Sequence, residues 1–389
     1  MRGLSKKVEL FTESRIRLMT ILSNEYHAIN LAQGFPEFAP PAELLERLSK
    51  VAHTGPHQYA PSWGAYNLRE AVAAKKSREL GRKIDPEREV LITCGSTEAM
   101  IDVMLTIFDP GDKVVLFSPY YTSYAADAIV AQAEPIFVEL KGEDFSIDWE
   151  ELEGAFRHKP KAFLLCNPLN PCGKVFTREE LEKIAELAIR YDTFVVTDEV
   201  YEHIVFEPYR QEYMASLPGM FERTISCSSL SKTYSVTGWR IGYITADADV
   251  IDNIRKIHDF MTVSAASPLQ EAAVTSLSFE PEYYEELRRI YTKKKELFLN
   301  GLDEIGFRHN DPQGTYFVMV DISEFGFEHD TDFCEYLVKH YGVAAVPGSS
   351  FFADGNSRWA RFHFAKEDDT LQEVLKRLAR LKKEWEVRA

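Results

Sequence analysis

The stretch SLSKTYSVTGWRIGY, residues 229–243, decides how this chain is interpreted. It places one lysine, Lys232, among small hydroxyl residues, and Arg240 follows eight positions later. Most lysines are solvated cations on a protein surface. A lysine that takes part in chemistry must instead lie in a crevice beside other functional groups. The segments around this stretch therefore decide between the two interpretations.

Short apolar runs alternate with helical patterns on both sides of the stretch. The segment 96–107, for example, carries apolar residues at the i, i+3, i+4 and i+7 positions of a helix. Strands that alternate with helices indicate a mostly parallel sheet covered on both faces, which is an α/β fold. The predicted strands are 90–94, 113–117, 135–139, 162–166, 193–197, 223–227 and 241–245.

The C-terminal part has a different pattern, which predicts a smaller α+β domain. It contains a long charged helix at 282–304, a strand at 315–320, a loop at 346–350, a strand at 358–364 and a helix from Asp368. We predict three regions: an N-terminal arm packing with the small domain (1–45), a large domain (46–280) and the small domain (281–389).

Composition narrows the classes of function. The chain has 389 residues, and 45% of them are hydrophobic, enough for a large core. The formal net charge of −16 repels nucleic acid and anionic lipid, so neither is expected as a partner. There is no membrane-spanning apolar run and no signal-peptide pattern, which predicts a cytoplasmic protein. Five scattered cysteines without a CxxC pair argue against a disulfide framework or a zinc site, and no metal is expected.

Polar residues follow three of the predicted strands. Strand 162–166 is followed by NPLNPCG, strand 193–197 by DEVY, and strand 223–227 by SSLSK. In open α/β sheets, ligands bind outside the carboxyl ends of the strands. We therefore expect an asparagine, an aspartate with a tyrosine, and a lysine around one crevice.

A fourth strand, 90–94, leads through Gly95, Ser96 and Thr97 directly into a helix. Free backbone N–H groups and the helix dipole at such a position suit a phosphate. Each segment alone also has an ordinary structural explanation: a turn, a helix cap or a surface cation. It is their convergence on one edge that favours chemistry.

The combined set of groups suits pyridoxal phosphate (PLP) better than a nucleotide. The motifs GxxxxGK[ST] and GxGxxG, which bind nucleotides, are absent from the expected positions. PLP takes a lysine amine, a carboxylate facing its pyridine nitrogen, donors near its ring oxygen and a hydroxyl-rich phosphate cup.

These residues make the chain resemble the class I aminotransferases, which are PLP enzymes of fold type I. The stretch 229–242 resembles the family's lysine signature. NPLNPCG (167–173) and DEVY (198–201) resemble its NPxNPxG and D-x-x-Y motifs, and AQGFPEF (32–38) and RFHFA (361–365) its substrate motifs. The resemblance extends over essentially the whole chain and looks closest to the kynurenine, glutamine and methionine aminotransferases. It implies a mixed, mostly parallel seven-stranded sheet between helices, plus a smaller α+β domain.

The resemblance implies roles for the residues that match the cofactor motifs. Lys232 would hold PLP covalently and then move a proton between the substrate Cα and the cofactor. Asp198 would keep the pyridine nitrogen protonated. Tyr201 and Asn170 would donate hydrogen bonds to the ring oxygen, and Tyr121 would stack on the ring.

The same resemblance implies a phosphate site and a dimer. The phosphate cup would consist of Gly95, Ser96, Thr97, Ser229 and Arg240. Tyr59 matches a tyrosine that reaches the phosphate from the neighbouring subunit, which implies a homodimer with a shared active site.

For the substrate, the resemblance implies that Arg361 binds the α-carboxylate in a bidentate fork, helped by Asn170 and the backbone of Gly34. An apolar slot for a large neutral side chain would be lined by Ile16, Phe35 and Phe351. The family usually has Thr or Ser where this chain has Cys172. The sequence offers no second arginine for a side-chain acid, which disfavours aspartate as the donor.

These observations predict an aminotransferase with a ping-pong reaction. A large neutral L-amino acid (aromatic, methionine, glutamine or kynurenine type) would donate its amino group, and a 2-oxo acid such as 2-oxoglutarate would receive it. The alternative is a PLP β-lyase acting on cysteine conjugates or cystathionine, which would share every cofactor residue. A non-catalytic protein of the PLP fold and a nucleotide-binding α/β protein are less well supported by the motifs.

Overall fold

The computed structural model describes residues 3, 5–11, 13–356 and 358–387. Within these ranges the chain forms twelve β-strands and twelve α-helices. The strands are β1 (Ile29–Asn30), β2 (Val90–Thr93), β3 (Lys113–Ser118), β4 (Glu134–Glu139), β5 (Ala162–Cys166), β6 (Phe194–Asp198), β7 (Thr224–Ser229), β8 (Gly242–Thr245), β9 (Phe317–Asp321), β10 (Val343–Ala344), β11 (Val346–Pro347) and β12 (Trp359–His363). The helices are α1 (Arg15–Glu25), α2 (Ala42–Thr54), α3 (Tyr66–Leu80), α4 (Ser96–Ile107), α5 (Ser123–Ala131), α6 (Trp149–Phe156), α7 (Arg178–Arg190), α8 (Ala248–Met261), α9 (Ser267–Ala273), α10 (Pro281–Ile305), α11 (Asp330–Tyr341) and α12 (Asp368–Glu386).

The largest sheet has seven strands in the order β2-β8-β7-β6-β5-β3-β4. All neighbouring strands run parallel except β8, which is antiparallel to both β2 and β7. Every residue of β2, β5, β7 and β8 is buried, as expected for strands with helices on both faces. The seven predicted strands and the α/β fold are therefore confirmed.

Local sequence signals set the ends of the helices that flank this sheet. Thr177 and Glu180 form a capping box at the start of α7, each side chain accepting a hydrogen bond from the other residue's backbone N–H. Gly81 ends α3 in the left-handed conformation, with φ +65°. Capping residues in the sequence therefore fix where α7 begins and where α3 ends.

The C-terminal part forms a second, three-stranded antiparallel sheet in the order β11-β12-β9, packed with α10, α11 and α12. The N-terminal strand β1 pairs parallel with β10, so the chain near residue 30 lies against this part. The domain boundaries at residues 45 and 280 stay predictions. None of the described helices is both long and apolar enough to cross a membrane.

Two local expectations were wrong. Residues 346–350 were predicted as a loop, but Val346 and Pro347 form β11 because they pair with Arg361 and Ala360 of β12. Asp198 was expected just after its strand, but it is the last residue of β6, where it pairs with Cys166 on one side and Cys227 on the other. The carboxylate is consequently fixed by the sheet itself.

Candidate active site

Lys232 lies at the carboxyl edge of the large sheet, three residues beyond the end of β7. It lines a cavity of about 480 Å³. Its Nζ donates a hydrogen bond to the Gly34 carbonyl oxygen at 3.1 Å and lies about 6 Å from the ring centres of Tyr201 and Tyr316. The lysine that the sequence predicts to take part in the reaction therefore lies in a crevice and not on the surface.

The surroundings of Lys232 favour its neutral form. Burial lowers the pKa of the amine to about 8, and the positive charges of Arg240 and Arg361 act in the same direction, while Asp198 opposes them. At pH 7 about a tenth of the amine is then neutral, far more than for a lysine with the ordinary pKa. Such an amine is both a nucleophile and a base.

Asp198 is the acid that faces the same cavity. Its Oδ2 accepts a hydrogen bond from the Tyr124 hydroxyl at 2.7 Å, and its Oδ1 accepts one from the Val200 backbone N–H at 3.3 Å. Burial raises the pKa of the Asp198 carboxyl to about 6, whereas these two donors favour the ionised form. The carboxylate is therefore buried but still mostly charged at neutral pH.

The start of α4 forms one wall of the cavity. Ser96 and Thr97 occupy its first turn, and both line the cavity together with Ser229 and Arg240. Arg240 donates to the Thr237 carbonyl oxygen at 3.0 Å. Free N–H groups at a helix start, hydroxyls and a guanidinium are the groups that bind a phosphate.

Two glycines make this wall possible. Gly95 has φ +79°, and a Cβ there would collide with the Arg240 guanidinium. Gly242 packs so closely against the α4 start that a Cβ would lie 2.7 Å from the Ser96 backbone nitrogen. The absence of side chains at both positions brings the arginine and the helix start together.

Arg361 also lines the cavity and is 1% exposed. Its Nη1 donates to the Asn170 Oδ1 at 2.7 Å and its Nη2 to the Ala32 carbonyl oxygen at 2.9 Å. Its Nε has no hydrogen-bond partner among the described residues. The guanidinium lies between the rings of Phe317 and Phe351, at 4.0 Å and 4.6 Å from their centres.

The cationic groups of the cavity lack counter-charges. Within the described ranges, no carboxylate lies at ion-pairing distance from Lys232, Arg240 or Arg361. Buried cations are normally paired or hydrogen-bonded in full. Arg361 is buried, Lys232 is half-buried and Arg240 is exposed. Three cations without a carboxylate partner around one cavity favour an anionic ligand.

Comparison with known proteins agrees with this geometry. The family model for "Aminotransferase class I and II" matches residues 26–378. The chain belongs to the class I and II aminotransferases.

Relatives of this aminotransferase differ in their named substrates. A probable N-succinyldiaminopimelate aminotransferase of Mycobacterium tuberculosis is 37% identical over 373 residues, 93% of this chain and 94% of the relative. A methionine aminotransferase of Escherichia coli is 35% identical over 364 residues, again 93% and 94%. The solved structure of the N-succinyldiaminopimelate aminotransferase from M. tuberculosis has a TM-score of 0.94 at 36% identity and covers 97% of this chain and 100% of that one.

Most of the predicted site residues of the aminotransferase come together in the cavity. Those that line it are Ile16, Gly34, Phe35, Ser96, Thr97, Tyr121, Asn170, Asp198, Tyr201, Ser229, Lys232, Arg240 and Arg361. Gly95 lies directly behind this lining, against Arg240.

Besides Gly95, two predicted residues do not line the cavity. Phe351 is fully buried and packs behind the Arg361 guanidinium, so it supports the arginine instead of contacting a ligand side chain. Tyr59 is 84% exposed and takes no part in the cavity of its own chain.

Sequence reasoning missed several cavity residues of the aminotransferase, among them Gln33, Tyr124 and Phe317. Gln33 directly precedes Gly34, and Tyr124 follows Tyr121 by three residues. Both could have been found from their closeness in sequence to a predicted site residue. Phe317 begins β9, in a segment predicted as a strand without a role in the site, and it contacts Arg361 through its ring face.

Proposed function

We propose that this aminotransferase binds PLP on Lys232 and moves the α-amino group of a large neutral L-amino acid to a 2-oxo acid such as 2-oxoglutarate. The observation that carries the proposal is the single cavity in which Lys232 and Arg361 both lack a carboxylate partner among the described residues. When bound, PLP supplies an aldehyde and an electron-withdrawing ring.

The donor set fits PLP at each of its polar groups. Ser96, Thr97, Ser229 and Arg240 would hold the phosphate, and the buried carboxylate of Asp198 would face the pyridine nitrogen. Tyr201 is 4% exposed, and burial raises the pKa of its hydroxyl well above the ordinary value, so it stays a proton donor. Tyr121 would lie against the ring.

Lys232 would act as the base and acid at the substrate Cα. Its lowered pKa leaves a lone pair available near neutral pH, and the hydrogen bond to Gly34 orients the amine within the cavity. Because the same amine alternately accepts and donates the proton, the two halves of a ping-pong reaction need no second base.

Arg361 would orient the substrate by its α-carboxylate. Asn170 and the Ala32 carbonyl oxygen hold the guanidinium in place, and Phe317 and Phe351 restrict its plane. A planar donor fixed in this way binds a carboxylate through two parallel hydrogen bonds. This geometry directs the Cα–H bond of a bound amino acid relative to Lys232.

The cavity lining favours a neutral side chain. Within one described chain its cationic residues are Lys232, Arg240 and Arg361, all assigned to the cofactor or the α-carboxylate. Ile16 and Phe35 offer an apolar surface for the remaining part of the substrate. Apolar pockets discriminate by only about 1–3 kcal/mol per small group, so broad specificity is expected.

The proposed enzyme is a homodimer with shared sites. Tyr59 is 84% exposed, and Phe260 at the end of α8 is 91% exposed. The two segments are joined, since His258 of α8 lies 2.7 Å from the Ser62 carbonyl oxygen through its Nε2. Large exposed aromatics on linked segments suit burial against a second copy, which would bring Tyr59 to the partner's phosphate.

A half-reaction screen tests the substrate assignment. The PLP-loaded protein is mixed with each L-amino acid without an acceptor, and decay of the visible absorption of the bound cofactor is followed. We expect aromatic amino acids, methionine, glutamine or kynurenine to react at least about 10-fold faster than aspartate, which lacks a matching cation. A clear preference for aspartate, or release of pyruvate from β-substituted cysteines without need of an oxo acid, would contradict the proposal.

Subunit mixing tests the shared site. The Lys232→Ala and Tyr59→Phe proteins are refolded together, so that mixed dimers contain one site with both residues intact. Transaminase activity that rises above that of either variant alone supports sharing; activity that never exceeds the Tyr59→Phe protein's own contribution would mean that Tyr59 serves no partner site.

A further inference from the structure

Tyr124 carries a buried hydroxyl that has no role in the proposed reaction. It lies in the first turn of α5, is 2% exposed, and its ring packs edge-on against Tyr121 at 5.6 Å. Its hydroxyl donates to Asp198 Oδ2 at 2.7 Å. A buried tyrosine hydroxyl needs a hydrogen-bond partner. Burying a carboxylate is costly unless hydrogen bonds stabilise its ionised form, and the Tyr124 hydroxyl provides such a bond.

The bond matters because Asp198 has few other stabilising contacts. Burial disfavours its charged form, and its other described donor is the Val200 backbone N–H at a longer 3.3 Å. Lys232 is not in an ion pair with it. The Tyr124 hydroxyl is therefore the shortest hydrogen bond that keeps the carboxylate charged and fixes the rotation of its plane.

The hydrogen bond also leaves the carboxylate able to bind a ligand. An ionised carboxylate has about four lone-pair directions, of which Tyr124 and Val200 occupy two. Since Asp198 lines the cavity, lone pairs remain for a ligand N–H. Holding Oδ2 from the side of α5 sets the direction in which they point.

We propose that Tyr124 is a positioning residue, which acts through its hydrogen bond to Asp198 to hold that carboxylate charged and aimed at the cofactor's ring nitrogen. The inference rests on the proposed function in one respect, namely that PLP occupies the cavity. The proposal gives Tyr124 no contact with the ring nitrogen, so its whole effect on the cofactor passes through Asp198.

The test is a double-mutant cycle with Tyr124→Phe and Asp198→Asn. Phenylalanine keeps the ring and removes only the hydroxyl, so packing against Tyr121 is retained. We expect Tyr124→Phe to weaken PLP binding to the cofactor-free protein about 10-fold, the value of one hydrogen bond to a charged group. In the Asp198→Asn background the same substitution should change PLP affinity less than about 2-fold, because the charge it serves is gone.

Two further readouts separate this role from general structural damage. We expect kcat to fall about 10-fold while KM for the amino donor stays within about 2-fold, since Arg361 and not Asp198 binds the donor. Tyr120→Phe is the matched control, because Tyr120 adjoins Tyr121 and stacks on Phe137 at 5.0 Å instead of reaching Asp198. It should leave PLP affinity and kcat unchanged.

The outcomes are distinguishable. If Tyr124→Phe weakens PLP binding equally with Asp198 and with Asn at position 198, the hydroxyl acts through packing and the inference is wrong, even if the variant is less stable. If the wild-type protein binds no PLP at all, the proposed function fails and this inference with it. If only the Asp198 background is sensitive, both stand.

Discussion

Two groups of buried charges share one short segment of the chain, residues 198–202, with the sequence DEVYE. Asp198 and Tyr201 line the cavity, whereas Glu199 and Glu202 belong to a network of ion pairs with helix α3. Neighbouring residues of one segment therefore serve a reactive site and a structural network.

In the network, every charge has a partner. Lys76 is fully buried, and its Nζ lies 2.7 Å from Glu199 and 2.9 Å from Glu79. Lys75 reaches Glu79 at 2.6 Å and Glu202 at 2.9 Å. Burial would lower the pKa of Lys76, but the carboxylates, Glu199 foremost, raise it well above the ordinary value.

In the site, the lowering of the pKa by burial is offset only in part, by Asp198 for Lys232 and by nearby tyrosines for Arg361. Lys232 has no carboxylate partner among the described residues, and its pKa falls to about 8. Arg361 is equally unpaired, and burial lowers its pKa to about 10. Lys76 and Lys232 therefore differ in pKa because carboxylates surround the first, whereas two arginines and one carboxylate act on the second, which is also the more accessible to solvent.

Removing the site lysine should act on activity. Lys232→Ala should lower transamination by about 10⁴-fold, because the base and the attachment point are lost together. A circular dichroism spectrum like that of the wild type separates lost chemistry from lost fold. Full turnover by this variant would show that another residue performs the proton transfer.

Removing the network lysine should act on stability instead. Lys76→Met leaves Glu199 buried without its cation, and we expect a loss of about 3–5 kcal/mol in the free energy of unfolding, measured by urea denaturation. Lys339→Met is the control, since Lys339 pairs with Glu335 on the surface at 2.7 Å. That pair should contribute at most about 0.5 kcal/mol. Equal losses in both variants would contradict the account of the network.

Arg361→Lys keeps the charge in the site but removes the planar fork. We expect kcat/KM for amino donors to fall about 10²–10³-fold, because two charge-assisted hydrogen bonds are no longer made together. PLP affinity should change little, since the phosphate wall lies elsewhere in the cavity. A loss of PLP binding as large as the loss of kcat/KM would place Arg361 at the cofactor instead.

The two lysines should also differ in how their contributions to stability depend on pH. In the cofactor-free protein the Lys232 pKa is about 8, against an ordinary value of 10.5. Between these values the unfolded chain binds more protons, so the Lys232 contribution to stability rises with pH. We expect the wild type to gain about 2–3 kcal/mol relative to Lys232→Met between pH 8 and 10.5.

Lys76 has the opposite sign, because its pKa is raised. Its stabilisation is complete below pH 10.5 and is lost only above it. Urea denaturation of wild type, Lys232→Met and Lys76→Met at several pH values checks both signs. A wild-type curve parallel to that of Lys232→Met would mean that the lysine is not neutralised by folding.

The sequence was sufficient to predict the parts of the site that depend on topology. Lys232, Asp198 and Asn170 follow or end parallel strands, and the carboxyl ends of such strands meet at one edge whatever the details of packing. Ser96 and Thr97 were predictable for the same reason, since a helix start directly after a strand exposes backbone N–H groups.

The rest depends on side-chain direction, which strand and helix patterns do not determine. Phe351 was expected to contact the substrate, but the fold directs its ring behind Arg361. Tyr124 looks like an ordinary helical aromatic in the sequence, and only the tertiary fold brings its hydroxyl to Asp198, 74 positions away. The Lys76–Glu199 pair joins residues 123 positions apart, so neither partner identifies the other in the sequence.

Chemical trapping identifies the lysine that carries the cofactor. The PLP-loaded protein is reduced with borohydride and digested, and mass spectrometry locates the pyridoxyl group on the peptides. The account predicts that Lys232 carries it in nearly all molecules, because its pKa is lowered and no carboxylate among the described residues holds its amine. Pyridoxyl groups on Lys76 or on surface lysines, with Lys232 unmodified, would contradict it.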